Sequence, residues 1–186
     1  DGGTDGRGTI EARIDELVPT RAEEPFSLPA LNPHPDSTPF ELMRRAAADH
    51  EKAGGDRPQI YLACMGTIAS HVNYANWAKS FFEVAGVETV PSGALESNEE
   101  QAKTLRGGGF ELVAVCAGRN QTPEDVADLV TRLRDAGAQY IYMVNSTPEL
   151  NEAAMDAGAD ELVKNGVNLT GVLTATLGRL GVEVKS

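Results

Sequence analysis

The sequence predicts an α/β fold of the flavodoxin-like kind, a doubly wound parallel sheet of five strands in the order 2-1-3-4-5. Three observations predict it. Short apolar runs alternate with helical segments from Arg57 onward, which is typical of a parallel sheet with helices on both faces. The connections are short, and about five such units fit within the chain. Four helical segments end on a glycine that can turn the chain toward the next strand: Gly86, Gly137, Gly158 and Gly181.

The first part of the chain differs from the rest and predicts an extended arm before the sheet. Residues 1–37 are rich in Gly and then in Pro, and proline at that density prevents regular hydrogen-bond ladders. We expect a flexible, Pro-rich arm or linker there, a linker helix within residues 38–56 and the α/β domain over residues 57–186. The helix itself is predicted from Phe40 to Ala53. Because the chain does not begin with Met, we expect it to be a piece of a longer protein.

Five strands and five helices are predicted to alternate after the linker helix. The strands are Gln59–Ala63, Glu88–Val90, Leu112–Cys116, Tyr140–Val144 and Glu161–Val163. The first would be central in the sheet, which matches its apolar character. The helices run from Asn73 to Ala85, from Ser97 to Gly107, from Thr122 to Gly137, from Thr147 to Gly158 and from Leu169 to Leu180. Ser97 opens a capping box with Glu100, and a cap residue followed by proline marks the next two helix starts.

Composition disfavours several classes of protein. The chain has 186 residues, too few for a complete (β/α)8 barrel, which takes about 250. Its formal net charge of −12 disfavours nucleic acid as a partner, because an acidic surface repels phosphates. No apolar run is long enough to predict a membrane span. Cys64 and Cys116 lie within apolar runs, which predicts buried, reduced thiols and a cytoplasmic location.

In such a sheet a ligand binds beyond the carboxyl ends of the strands, so the loops there carry the candidate sites. The loop after the first strand, Met65-Gly66-Thr67, has neither the clustered carboxylates of a phospho-accepting receiver nor a G-x-G-x-x-G dinucleotide motif. Gly107-Gly108-Gly109 is interpreted as a helix terminator, and Trp77 with Phe81 as core. His71 is interpreted first as a partly exposed loop histidine. No catalytic residue is predicted.

The run Ile60-Tyr61-Leu62-Ala63-Cys64-Met65-Gly66-Thr67 resembles the start of the C-terminal cobalamin-binding-type domain of methylmalonyl-CoA mutase. The chain is most similar to the small, non-catalytic (beta) subunit, from the linker at Thr38-Pro39-Phe40-Glu41-Leu42 to about Val182. The resemblance implies part of an adenosylcobalamin-dependent isomerase whose substrate sits in a barrel that this chain lacks. Alone, the chain is predicted to be non-catalytic. Its expected partner is the catalytic subunit or the missing barrel domain of its own subunit.

The cofactor motif of that family is degenerate here. Members that bind cobalamin carry D-x-H-x-x-G after the first strand, and its histidine lies below the cobalt. The aspartate position falls on Ile68, the histidine on Ser70 and the last glycine on Asn73. The S-x-L after the third strand becomes Cys116-Ala117-Gly118, and the paired glycines after the fourth fall near Val144-Asn145. We therefore expect a domain that binds neither cofactor nor metal and that stabilises a heterodimer.

Two alternatives stay open. In the first, a one-residue shift of the loop brings His71 under the cobalt as the lower axial ligand, and the domain binds cobalamin. The cofactor-binding residues would then be Gly66, Ser70, His71, Gly118 and Asn145, with His71 as the metal ligand. In the second, the chain is a stand-alone flavodoxin-like enzyme that uses Cys64 or Cys116 as a reactive thiol.

Overall fold

A computed structural model describes residues 38–93, 95 and 97–185 of the chain. The predicted arm over residues 1–37 lies outside the described residues. The described part holds six helices and five strands, in this order: α1 Thr38–Lys52, β1 Gln59–Met65, α2 Ile68–Glu83, β2 Glu88–Pro91, α3 Asn98–Gly108, β3 Leu112–Ala117, α4 Pro123–Asp135, β4 Tyr140–Val144, α5 Pro148–Asp156, β5 Glu161–Val163 and α6 Leu169–Arg179.

The strands form one parallel sheet in the order β2-β1-β3-β4-β5. This confirms the predicted flavodoxin-like sheet and its order 2-1-3-4-5. The register of β1 with β3 places Cys64 opposite Cys116 and Met65 opposite Ala117 at the carboxyl end. The loops after β1 and β3 therefore emerge side by side, at the point where the strand order reverses.

Two apolar layers cover the sheet, one on each face. Successive residues of a strand point to opposite faces, so Leu62 and Cys64 enter one layer while Tyr61 and Ala63 enter the other. Helices α1, α2 and α6 complete the first layer, and α3, α4 and α5 complete the second. Every residue of β1 after Gln59 is buried, as a central parallel strand requires. None of the helices described is long and apolar enough to cross a membrane.

Local capping signals position most helices as predicted. The Ser97 hydroxyl accepts a hydrogen bond from the backbone N–H of Glu100 at the start of α3. At the starts of α4 and α5, Thr122 and Thr147 accept in the same way from the third residue beyond each cap. Gly109 ends α3 with a φ of 67°, which confirms the glycine run as a helix terminator.

The start of α2 differs from the prediction. The helix begins at Ile68, earlier than the predicted Asn73. Gly66, with a φ of 76°, turns the chain immediately after β1. Thr67 then occupies the N-cap position without a side-chain hydrogen bond, so the usual capping signal is not used. Ser70 and His71 consequently lie in the first turn of a helix, and the prediction of a loop histidine was wrong.

Candidate functional site

The carboxyl edge of the sheet brings together Gly66, Ser70 and Gly118, three of the residues that a cobalamin site would use. A side chain on Gly66 would lie 2.5 Å from Gln121 Nε2 and 2.8 Å from Ser70 Oγ. A side chain on Gly118 would overlap the backbone carbonyl oxygen of Ser70. The first turn of α2 and the loop after β3 are therefore packed directly on each other.

The His71 side chain is buried beneath the first turn of α2, beside the carboxyl end of β1. Its side chain is 6% exposed, and its Nδ1 lies 3.3 Å from the carbonyl oxygen of Met65. It shares the buried face of α2 with Ala78 and Phe82. The predicted partial exposure was therefore wrong, because the early start of α2 turns this side chain toward the sheet.

Ile68 and Ser70 occupy the positions where the family pattern has its aspartate and histidine. Ile68 is 62% exposed at the start of α2 and has no polar side-chain atom. The Ser70 hydroxyl donates to the carbonyl oxygen of Thr67 at 2.7 Å, which engages it within the helix turn. Neither side chain supplies a nitrogen ligand or a carboxylate to orient one.

Asn145 lies in the loop after β4, where hydrogen bonds hold it to the start of α5. Its Oδ1 accepts from Asn151 Nδ2 at 3.0 Å. The Oδ1 of Asn151 in turn accepts from the backbone N–H of Ser146 at 2.9 Å. The side chain of Asn145 is thus engaged in ordering its own loop.

A small cavity lies beside Asn145, between α2 and the loop after β5. It measures about 230 Å³ and is lined by Asn73, Tyr74, Trp77, Val144, Asn145, Lys164 and Asn165. Trp77 borders it, stacks on Phe81 with ring centroids 4.9 Å apart, and donates from Nε1 to Asn165 Oδ1 at 3.0 Å. Ligand pockets usually measure about 300–1,000 Å³, so this cavity is below the usual size. Trp77 packs against the core while remaining half-buried, and Phe81 is buried in it, as predicted.

A larger cavity, of about 420 Å³, opens near the carboxyl end of β1 beside α3 and α4. Gln101 in its wall is buried, accepts from the Tyr61 hydroxyl at 2.8 Å and donates to the Cys64 carbonyl oxygen at 2.7 Å. Burial raises the pKa of Tyr61 to about 12. At the cavity's outer side Arg132 pairs with Asp128 at 2.8 Å, and this hydrogen bond lowers the pKa of Asp128. Gln101 is thus bonded to Tyr61 and Cys64, and Arg132 to Asp128. These hydrogen bonds hold the wall of the cavity together.

Both cysteines are buried and free, as predicted. Among the residues that the structure describes, no group of three or more His, Cys, Asp or Glu side chains could hold a metal ion. Sequence reasoning missed Gln101, because a glutamine within a polar helix gives no signal that it will be buried.

The fold defines a flavodoxin-like α/β domain with a parallel sheet in the order β2-β1-β3-β4-β5. A solved structure, a cobalamin-binding protein from Desulfitobacterium hafniense DCB-2, matches it with a TM-score of 0.52 and 17% identity. The match covers 73% of this chain and 69% of that one, and it supports the fold alone. No protein-family model matches the chain.

The sequence relatives are more informative than the structural match, because they are named methylmalonyl-CoA mutase small subunits. The relative from Streptomyces virginiae is 28% identical over 173 residues, which is 93% of this chain. The relative from Propionibacterium freudenreichii subsp. shermanii is 24% identical over 181 residues, or 95% of this chain. These matches confirm the resemblance predicted from the sequence. The chain spans about a quarter of the length of these relatives, 26% of each.

Proposed function

We propose that this chain is a degenerate cobalamin-binding-like domain of the methylmalonyl-CoA mutase small-subunit type, with a structural role. It would stabilise the heterodimer with the catalytic subunit of an adenosylcobalamin-dependent isomerase, or pack on a barrel domain of its own subunit. The chain itself would be non-catalytic and cytoplasmic. The observation that carries the proposal is the burial of His71 beside the Met65 carbonyl oxygen, with Ile68 and Ser70 at the positions where the family pattern has its aspartate and histidine.

The residues present do not fit cobalamin at this edge. A lower axial ligand needs an imidazole that projects beyond the strands, whereas His71 is buried beside the Met65 carbonyl oxygen. Moving His71 outward would require unwinding the first turn of α2, where Ser70 and His71 both donate backbone N–H bonds to Thr67. Binding of cobalt by His71 would therefore require the loss of these two backbone hydrogen bonds, whereas a domain that binds no cobalamin keeps them.

The cavity beside the loop after β4 is small. The paired glycines of the family fall near Val144 and Asn145, and the cavity there measures about 230 Å³, whereas a more open cavity of about 630 Å³ lies between the first turn of α2 and the loop after β3. The hydrogen bond from Trp77 to Asn165 joins two walls of the smaller cavity. A large ligand would have to break this bond and displace the indole ring.

The parts that a packing role needs are intact. Two continuous apolar layers, capped helices and a complete parallel sheet give the domain a well-formed core. A domain that serves only to pack against another domain or subunit is expected to lose its ligand-binding residues while it retains its core. The names of the relatives support a mutase catalytic subunit as the partner.

The first test is a titration with hydroxocobalamin and with adenosylcobalamin, followed by desalting, on the wild type and on His71→Ala. We expect an unchanged visible spectrum and complete loss of colour on the column for both proteins. Retained colour with a histidine-ligated, base-off spectrum that disappears in His71→Ala would overturn the proposal and establish the cobalamin alternative.

The second test addresses the structural role. The chain is mixed with a purified mutase catalytic subunit and run on a sizing column, alone and together. We expect comigration that does not depend on added cobalamin. A chain that binds neither cobalamin nor the catalytic subunit would refute the heterodimer role, whereas rapid alkylation of Cys64 or Cys116 in the folded state would favour the thiol-enzyme alternative.

A further inference from the structure

The loop after β5 contains the one Asn-Gly pair of the chain, Asn165-Gly166. Both residues are exposed, and they form a turn directly after the strand. Gly166 has a φ of 89°, and a backbone hydrogen bond of 3.4 Å from Val167 to Lys164 closes the turn. Glycine has no side chain to shield its backbone nitrogen, and nothing lies within 4 Å of where a Cβ atom on Gly166 would be. The surroundings of Gly166 are therefore open.

The atoms that take part in deamidation are free at this pair, with one exception. In that reaction the backbone nitrogen of the glycine attacks the side-chain carbonyl carbon of the asparagine. Among the described residues, no group accepts a hydrogen bond from the Gly166 N–H, and none bonds to Asn165 Nδ2. The exception is Asn165 Oδ1, which accepts from Trp77 Nε1 at 3.0 Å. The attacking and leaving nitrogens are thus both unengaged.

We propose that Asn165 is a site of spontaneous deamidation in the folded domain, and that its hydrogen bond with Trp77 restrains the reaction. The Gly166 nitrogen gives its proton to a base in the solvent and forms a bond with Asn165 Cγ. The bond from Cγ to Nδ2 breaks, and Nδ2 takes up a proton and leaves as ammonia. The product is a succinimide. Water then adds to either carbonyl carbon of that ring and opens it to aspartate or isoaspartate.

Trp77 is the restraint because the reaction requires the Asn165 side chain to turn. Bringing Cγ onto the Gly166 nitrogen draws Oδ1 away from the indole, so the hydrogen bond is lost before the ring closes. A neutral hydrogen bond of this kind changes a rate or an equilibrium by about 2- to 10-fold. The indole itself is held in place by stacking on Phe81, with ring centroids 4.9 Å apart.

Deamidation would alter the wall of the 230 Å³ cavity, which both Trp77 and Asn165 line. Either product places a carboxylate beside Lys164. Isoaspartate also adds one carbon to the main chain, which redirects the loop and separates its side chain from the indole. The reaction therefore removes the link between α2 and the loop after β5.

The pair Asn145-Ser146 is a comparison within the same domain, because serine is also a small residue. Here the backbone N–H of Ser146 donates to Asn151 Oδ1 at 2.9 Å. The side chain of Asn145 is held as well, since its Oδ1 accepts from Asn151 Nδ2 at 3.0 Å. Because the attacking nitrogen is engaged, we expect Asn145 to react at least about 10-fold more slowly than Asn165.

The test incubates the full chain at mildly alkaline pH and physiological temperature and follows each asparagine by peptide mapping with mass spectrometry. Asn165 should convert to aspartate and isoaspartate, with ammonia released, while Asn145 stays largely intact. Trp77→Phe should deamidate at Asn165 about 2- to 10-fold faster. Tyr74→Phe is the matched control, because Tyr74 lines the same cavity without bonding to Asn165, and its rate should equal that of the wild type.

A second measurement needs no variant and uses Trp77, the single tryptophan of the chain. Its fluorescence should change with the same time course as the conversion of Asn165, and circular dichroism should show that the domain stays folded. Conversion of Asn165 in urea but not in the folded chain would overturn the proposal. So would faster conversion of Asn145 than of Asn165. A Trp77→Phe variant that is folded and reacts no faster than the wild type would refute the restraint by the indole.

Discussion

Gly118 lies so close to the backbone carbonyl oxygen of Ser70 that no side chain fits between the two residues. The contact joins the loop after β3 to the first turn of α2. It is a contact between backbones, so neither side can relieve a clash by rotating a side chain.

Replacing Gly118 by Ala should therefore destabilise the domain. We expect a loss of about 1–3 kcal/mol in the free energy of unfolding, as for other overpacked interior sites. The measurement is urea unfolding followed by circular dichroism. Gly178→Ala is the matched control, because Gly178 lies in α6 with nothing within 4 Å of an added methyl group. That control should be neutral or more stable by up to about 1 kcal/mol. Equal effects of the two substitutions would show that the contact with Ser70 is not tight.

The sequence could predict the sheet and most helices because their signals are local. Thr122 and Thr147 each precede a proline, and both begin helices at the predicted residues. Tyr140–Val144 and Glu161–Val163 are strands within the predicted bounds, because apolar runs between turn residues identify buried strands.

The candidate site was less predictable because its geometry is not local. Thr67 makes no side-chain cap, so nothing in the sequence indicated that α2 begins before Ser70 and His71. The contact between Gly118 and Ser70 and the pairing of Cys64 with Cys116 join segments of the chain that are far apart. Such relationships depend on register, which the apolar pattern of each strand does not specify by itself.

The bond between Tyr61 and Gln101 gives a second prediction. Gln101→Leu should lower the free energy of unfolding by about 1–3 kcal/mol, because it removes two buried hydrogen bonds, one from the Tyr61 hydroxyl and one to the Cys64 carbonyl oxygen. Urea unfolding measures the change. Adding Tyr61→Phe to Gln101→Leu removes the hydroxyl that has lost this acceptor and should recover part of the loss. If Gln101→Leu is as stable as the wild type, the buried bonds contribute nothing net.

The hydrogen bond between Trp77 and Asn165 gives a third prediction. Trp77→Phe retains an aromatic ring beside Phe81 but removes the indole donor, and Asn165→Ala removes the acceptor. A double-mutant cycle should show a coupling of about 0.5–1.5 kcal/mol between the two sites. Neither substitution should create retention of cobalamin, because neither supplies an axial ligand for the cobalt. Colour retained by Trp77→Phe alone would instead identify the indole as the main obstacle.

The buried tyrosines give a prediction about alkaline pH. Burial is the main cause that raises the pKa values of Tyr61 and Tyr142 to about 12, from the usual value of 10.0 for a tyrosine. A folded-state pKa above the unfolded one contributes stability that is present below the unfolded pKa and is lost as pH rises through the folded pKa. The free energy of unfolding should therefore fall between about pH 10 and pH 12, and tyrosinate absorbance should include a late step in that range. The double variant Tyr61→Phe, Tyr142→Phe should show a flatter stability profile and lose most of that step. An absorbance change in the folded wild type that is complete near pH 10 would mean that both phenols are accessible to solvent.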